Sequence, residues 1–174
     1  QIYRRVVERR TYPDGGTGSS YETKMTISRP ETIDVSLTIQ SVGYVTVDQY
    51  NAAGTLMSRE KHYYFGNADS SLKSHSGVSY AGWKEGKEYK TESFATNGTT
   101  VLRRVESTWQ QPVAGGSWPL TSAETTDTAK ENNPQVTETI TTIEPAGANR
   151  VTKQTFAYDK YLNWTDQYDY DYGT

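Results

Sequence analysis

Two histidines, His62 and His75, are the whole imidazole supply of this chain, and cysteine is absent. Thiol catalysis, Cys-based zinc sites and a disulfide framework are therefore excluded. His62 stands between Lys61 and Tyr63 in an alternating stretch, and His75 lies in a Ser-rich one. Neither has further histidines at ligand spacing. Paired carboxylates are the other route to chemistry, since two of them flanking a glycosidic bond make a hydrolase. The candidates are Glu85, Glu88, Glu92, Asp166, Asp169 and Asp171. Their placement in strand-like runs reads as charged sheet faces. Calcium would need oxygen ligands converging from one loop. Alternation instead puts Asp169 and Asp171 on one face and Asp166 on the other. Gly15-Gly16 and Gly115-Gly116 sit in turns with no helix following, so no phosphate cradle is formed. The expectation is a chain that is not an enzyme, with no catalytic residue, no metal and no cofactor.

Aromatic side chains are the better candidates for recognition. Trp83 and Trp118 fall in loop-like stretches, where an exposed indole stacks on a sugar or anchors a protein partner. The alternative is that they fold down and cap the sheet. Trp109 and Trp164 fall in strand-like stretches. In the last run, Tyr168, Tyr170 and Tyr172 share one face and are candidate partner contacts.

These residues are carried by strands. Hydrophobic residues make up 33% of the 174, and the apolar mass sits in Tyr, Trp and Phe rather than in aliphatics. Such residues, with abundant Thr, suit a pleated, half-wet surface. The formal charge is -3 with no dense basic run, which argues against a nucleic-acid footprint. No apolar run reaches membrane-spanning length, so no membrane insertion is expected. Period-two alternation recurs along the chain. It is clearest over Ile33–Gln40 and predicts further strands over 2–11, 21–27, 44–50, 56–65, 87–94, 100–109, 136–143, 151–158 and 164–172. Turn residues separate them: Pro13-Asp14-Gly15-Gly16, Asn51-Ala52-Ala53-Gly54, Asn97-Gly98 and Pro145–Asn149. Asn97-Gly98 predicts a tight hairpin in which both residues tolerate positive φ. Two long stretches, 66–86 and 110–134, read as excursions from the scaffold. The expected fold is a single all-β segment over 1–174. It is built of antiparallel hairpins in a meander, as a strip of a β-shell or an open sandwich. Beginning at Gln1, it reads as a piece of something longer.

Three segments align without gaps: Tyr50–Met57, Phe94–Val101 and Tyr158–Thr165. Each has an aromatic closing a strand, a short polar turn, then a return strand. In this pattern Asp or Asn bonds the turn backbone, and Gly or Asn takes the left-handed conformation. The pattern resembles the YD repeat of the Rhs family: Tyr-Asp, two variable residues, Gly, then a Thr-containing strand. Tyr158 and Asp159 match the dipeptide, and Asn163 and Thr165 fall where the family has Asn and Thr. Leu162 departs from the expected Gly. In the first copy, Tyr50 and Gly54 match while Asn51 replaces Asp. In the second, Phe94-Ala95 replaces the dipeptide ahead of Asn97 and Gly98. Tyr170-Asp171-Tyr172-Gly173 resembles a further unit. The resemblance implies a non-catalytic scaffold in a secreted or surface-exposed bacterial protein, enclosing or displaying another segment. Its partners would be neighbouring repeats of the same parent chain, or other copies joined through strand edges. The resemblance also allows glycan as a ligand. The alternatives are an extracellular carbohydrate- or protein-binding module of the adhesin kind and, behind it, a glycoside hydrolase.

Overall fold

The structure is a computed structural model, and it describes residues 6–12, 23–28, 44–65, 81–126 and 128–172. The expected strand Ile33–Gln40, the turn Pro13–Gly16, His75 and residues 66–80 of the expected excursion 66–86 lie outside these residues. Within them the chain forms one antiparallel sheet of nine strands in sequence order. The strands are β1 (Glu8–Thr11), β2 (Thr23–Ser28), β3 (Tyr44–Asn51), β4 (Leu56–Tyr64), β5 (Glu88–Phe94), β6 (Val101–Gln110), β7 (Gln135–Ile143), β8 (Arg150–Tyr158) and β9 (Trp164–Tyr172). The regular helical structure among the described residues is one 3-10 turn, Gly82–Lys84. The all-β meander is therefore present. It takes the open-strip form, because no second layer faces the sheet among the described residues.

Among the described residues buried hydrophobic side chains are few, Ala81, Trp83, Phe94, Trp118 and Tyr158, so cohesion there needs another source than a core. One face instead carries rows of cross-strand pairs of charged and aromatic side chains. Asp48 lies opposite Arg59, Lys61 opposite Glu92, and Glu92 opposite Arg104. The guanidinium of Arg59 donates from Nε to Asp48 Oδ1 at 2.7 Å and from Nη2 to Oδ2 at 2.8 Å. Lys61 Nζ sits 5.4 Å from the ring centroids of both Tyr44 and Phe94. Tyr63 donates to Glu92 Oε2 at 2.8 Å, and Arg104 Nε donates to Glu92 Oε1 at 3.0 Å. Lys90 Nζ lies 3.8 Å over the Tyr63 ring. Farther along the same face Lys153 pairs with Glu138. Thr46, Asp48, Glu92 and Thr142 are buried in these rows, although no second layer faces them among the described residues. Pairs of this kind contribute about 0.2–1 kcal/mol each, so cohesion is spread across many of them.

The turns obey local chemistry. In the β3–β4 turn, Gly54 N–H donates to Asn51 O, and Asn51 N–H donates to Thr55 O. The Asn51 Oδ1 accepts from Thr55 N, and Gly54 takes φ +78. The β8–β9 turn repeats this set. Leu162 N–H donates to Asp159 O, Asp159 N–H to Asn163 O, and Asp159 Oδ1 accepts from Asn163 N, with Leu162 at φ +68. Each is a three-residue loop ending in a left-handed residue. The β5–β6 turn is one residue longer, because Phe94 pairs with Val101 where Tyr50 pairs with Leu56 and Tyr158 with Trp164. The gapless alignment of the second copy is corrected accordingly. Asn97 is also not left-handed there. Its Oδ1 accepts from the N–H groups of Thr99 and Thr100, and Gly98 alone takes positive φ, at +71.

Candidate functional site

Among the described residues three places have the chemistry to be weighed as a site: a cleft around His62, a loop cavity after β6, and the β8–β9 hairpin. The cleft lies on the face opposite the ionic rows. His62, Glu88, Lys90, Thr91, Val105, Ser107 and Trp109 line it, and its volume is about 340 Å³. His62 Nδ1 lies 2.8 Å from Glu88 Oε1, and Thr91 Oγ1 donates to the same oxygen. His62 Nε2 lies 3.6 Å from Glu60. The Thr91 hydroxyl thus serves the carboxylate rather than the imidazole, so no hydroxyl nucleophile faces a ring nitrogen here. Trp109 Nε1 donates to the Glu88 carbonyl at 2.7 Å and props the wall. The chemistry of this cleft is that of a satisfied hydrogen-bond group on a sheet face.

The loop cavity, about 580 Å³, is walled by residues of 114–116, 124–126 and 128–132. Its frame is Gln111, 1% exposed, whose amide donates to Lys130 O and whose Oε1 accepts from Asn132 N. The indoles hold this loop to the sheet. Trp83 Nε1 donates to Glu124 O, Trp118 Nε1 donates to Asn133 O, and Trp118 packs edge-on against Tyr158 with centroids 5.1 Å apart. Tyr158 is itself tied by its hydroxyl to Val136 O. Trp83 and Trp118 are 5% and 4% exposed. The expectation that these two loop indoles are the accessible ones is corrected: their N–H groups donate to loop carbonyls and their rings are buried.

The exposed tryptophan is in a strand. Trp164 is 66% exposed and stacks on Phe156 with centroids 5.5 Å apart. Tyr161, in the preceding turn, is exposed as well. On β9, Tyr168 and Tyr170 are exposed and stand on the face of Thr155 and Lys153. The backbone of Tyr172 pairs with Val151, while its side chain lies outside the description.

Of the carboxylates weighed for catalysis, Glu92 and Glu88 are engaged as above. Burial pushes the Glu92 carboxyl up, but the Tyr63 hydrogen bond and the cations Lys90 and Arg104 hold it below the usual range. Glu92 is thus a fixed anion rather than a proton donor. Burial and the Glu92 carboxylate raise the Tyr63 phenol. Asp169 accepts from Gln154 at 2.7 Å and, along its own strand, from Gln167. Among the described residues no group of three His, Cys, Asp or Glu side chains converges as a metal would need.

The aligned aromatics occupy equivalent places. Tyr50, Phe94 and Tyr158 each pair with the first residue of the return strand, across a register shift. Two of these turns lie on one rim of the sheet. The third lies on the opposite rim, because β8 runs against β3 and β5. The spacing of motifs could not reveal this, since β7 intervenes with its own turn at Glu144–Asn149. No family model, curated protein or solved structure matches the chain.

Proposed function

We propose that the chain is a structural strip without a catalytic centre. In this reading it is a run of β-hairpins serving as one segment of a larger β-shell or display scaffold of the Rhs/YD-repeat kind, secreted or on a bacterial surface. One observation carries the reading: among the described residues, the extensive contacts of every strand run to its sequence neighbours. Such a fold is quasi-one-dimensional, and its stability is a sum of hairpin terms and nearest-neighbour interfaces. Repeated Asx-closed turns after a strand-ending aromatic support the YD-like character. The buried loop indoles and the engaged carboxylates favour a framework role. Differential scanning calorimetry tests this directly. An array of semi-independent hairpins gives a calorimetric enthalpy larger than the van't Hoff enthalpy. Equal enthalpies in a single sharp transition would contradict it.

A binding module is the second reading, and the Phe156–Trp164 stack favours it. An indole with one face supported and the other open suits a sugar ring. Glycan binding abolished by Trp164→Ala, with the melting temperature unchanged, would establish that role.

A further inference from the structure

Asn97-Gly98 is the one Asn-Gly pair in the sequence. Glycine, having no Cβ, offers little steric resistance when its own nitrogen attacks the preceding side-chain amide. In that reaction the Gly98 nitrogen gives its proton to water and bonds to Asn97 Cγ, and Nδ2 leaves as ammonia. Water then opens the five-membered imide at either carbonyl and leaves aspartate or isoaspartate. The net change is one water consumed and one ammonia released. Asn97 is exposed, so water reaches it.

The folded turn blocks both partners of this reaction. The Gly98 N–H donates to Ala95 O at 2.8 Å, which makes Thr96 and Asn97 the central pair of the turn. Neither takes positive φ, as in a type I turn. The second central residue of such a turn has ψ near 0°, so the next nitrogen is turned roughly 120° from Cβ about the Cα–C bond. Closure of a five-membered ring needs the two nearly eclipsed. The electrophile is held as well. Asn97 Oδ1 accepts from the N–H groups of Thr99 and Thr100 at 3.0 Å each, and Nδ2 donates to Thr100 Oγ1 at 2.8 Å. The Gly98 carbonyl accepts from Arg59 Nη1 at 3.0 Å, so Gly98 is fixed at both ends. Rotation to the reactive geometry therefore breaks the turn.

We propose that Asn97 is a deamidation site gated by the β5–β6 hairpin, inert while its turn is closed and reactive once it opens. The gate needs only the turn; that this hairpin opens on its own rests on the strip reading above. The two products then behave differently. Aspartate at 97 keeps an acceptor oxygen for Thr99 and Thr100, and the Thr100 hydroxyl donates to it instead of accepting, so the turn re-forms. Isoaspartate routes the main chain through Cβ and Cγ and lengthens it by one carbon. Gly98 has no slack for that, since even a Cβ on it would lie 2.9 Å from Arg59 Nη1 and 3.2 Å from Leu56 Cδ2. The isoaspartyl turn does not re-form, and one opening event becomes a permanent weak point between β5 and β6.

Trypsin cuts after Lys90 and Arg103, and the fragment between them holds Asn97 as its one asparagine. Mass spectrometry of that fragment follows deamidation as a gain of about one mass unit. A reaction confined to the open form runs at a rate set by the population of that form. In mildly alkaline buffer, Asn97 in the full chain should react at least about tenfold more slowly than in the free peptide of residues 91–103. Urea should raise the rate in the full chain toward that of the peptide. A rise that begins before the circular-dichroism transition supports the gate and the separate opening of this hairpin. A rise that coincides with the transition supports the gate and defeats the strip reading instead. A full chain that reacts as fast as the peptide, or at a rate indifferent to urea through the transition, would overturn the proposal. Isoaspartyl chains, separated from aspartyl chains, should melt at lower temperature. Equal melting temperatures would overturn the permanent weak point.

Discussion

Asp48 shows how a single residue holds this sheet without a core. The residue is 7% exposed, and its carboxylate receives two hydrogen bonds from Arg59 and a longer one from Tyr50. The Arg59 hydrogen bonds hold its carboxyl below the usual aspartate range, against the opposing push of burial. Since the folded value is depressed, the stabilisation is fully present above the unfolded value and is lost as pH falls through the folded one. Glu92 contributes with the same sign. Acidification below about pH 4 should therefore lower the melting temperature. Asp48→Asn should cost about 1–2 kcal/mol at neutral pH and flatten that acid dependence. Equal acid slopes in the variant and the parent, followed by circular dichroism, would mean that the pair is not the source. None of this was legible at the level of residue types. The sequence shows Asp48 and Arg59 as ordinary strand charges, and only the register places them opposite. The same holds for Trp83 and Trp118, whose loop context suggested exposure. Their burial depends on carbonyls of Glu124 and Asn133 that lie 41 and 15 residues away.

At the scale of elements, strand existence was legible and turn detail was less so. Alternation and turn chemistry are local signals, and β3 to β9 fall close to where they predict. The turns differ because a loop's length depends on which residues the strands pair. Asn97-Gly98 predicted two left-handed residues, whereas the longer turn needs one, at Gly98. Gly98 has φ +71, and an added Cβ would lie 2.9 Å from Arg59 Nη1 and 3.2 Å from Leu56 Cδ2. Its carbonyl also accepts from Arg59 at 3.0 Å. Gly98→Val should cost about 1 kcal/mol or more, read as a lower melting temperature. Leu162 is the converse case, a branched-chain residue at the left-handed position that Gly54 fills in the equivalent turn. Leu162→Gly should stabilise the protein by about 0.5–1 kcal/mol, because the left-handed penalty outweighs the added chain entropy of glycine. A melting temperature that falls in Leu162→Gly would show that the half-buried leucine side chain contributes more by packing than its backbone strain costs.

At the scale of the whole sheet, the nine strands of the described residues, in sequence order, make an assembly of local parts. The sequence foresaw the meander. It did not foresee that the third aromatic-turn motif sits on the opposite rim, because motif spacing does not count the strands between copies. Cohesion along such a strip passes from hairpin to hairpin, so its ends should open before its middle. The terminal strand β1 is short and its residues are exposed, whereas β6, β7 and β8 are bracketed by neighbours and tied by Tyr158 and Trp118. Native-state hydrogen exchange of the full chain, resolved strand by strand, measures this most directly. A hairpin array predicts graded opening free energies, lowest for β1 and β2 and highest for β6 to β8, with the outer strands exchanging while the inner ones stay protected. One common opening free energy shared by all nine strands would contradict the scaffold strip and identify a single cooperative domain instead.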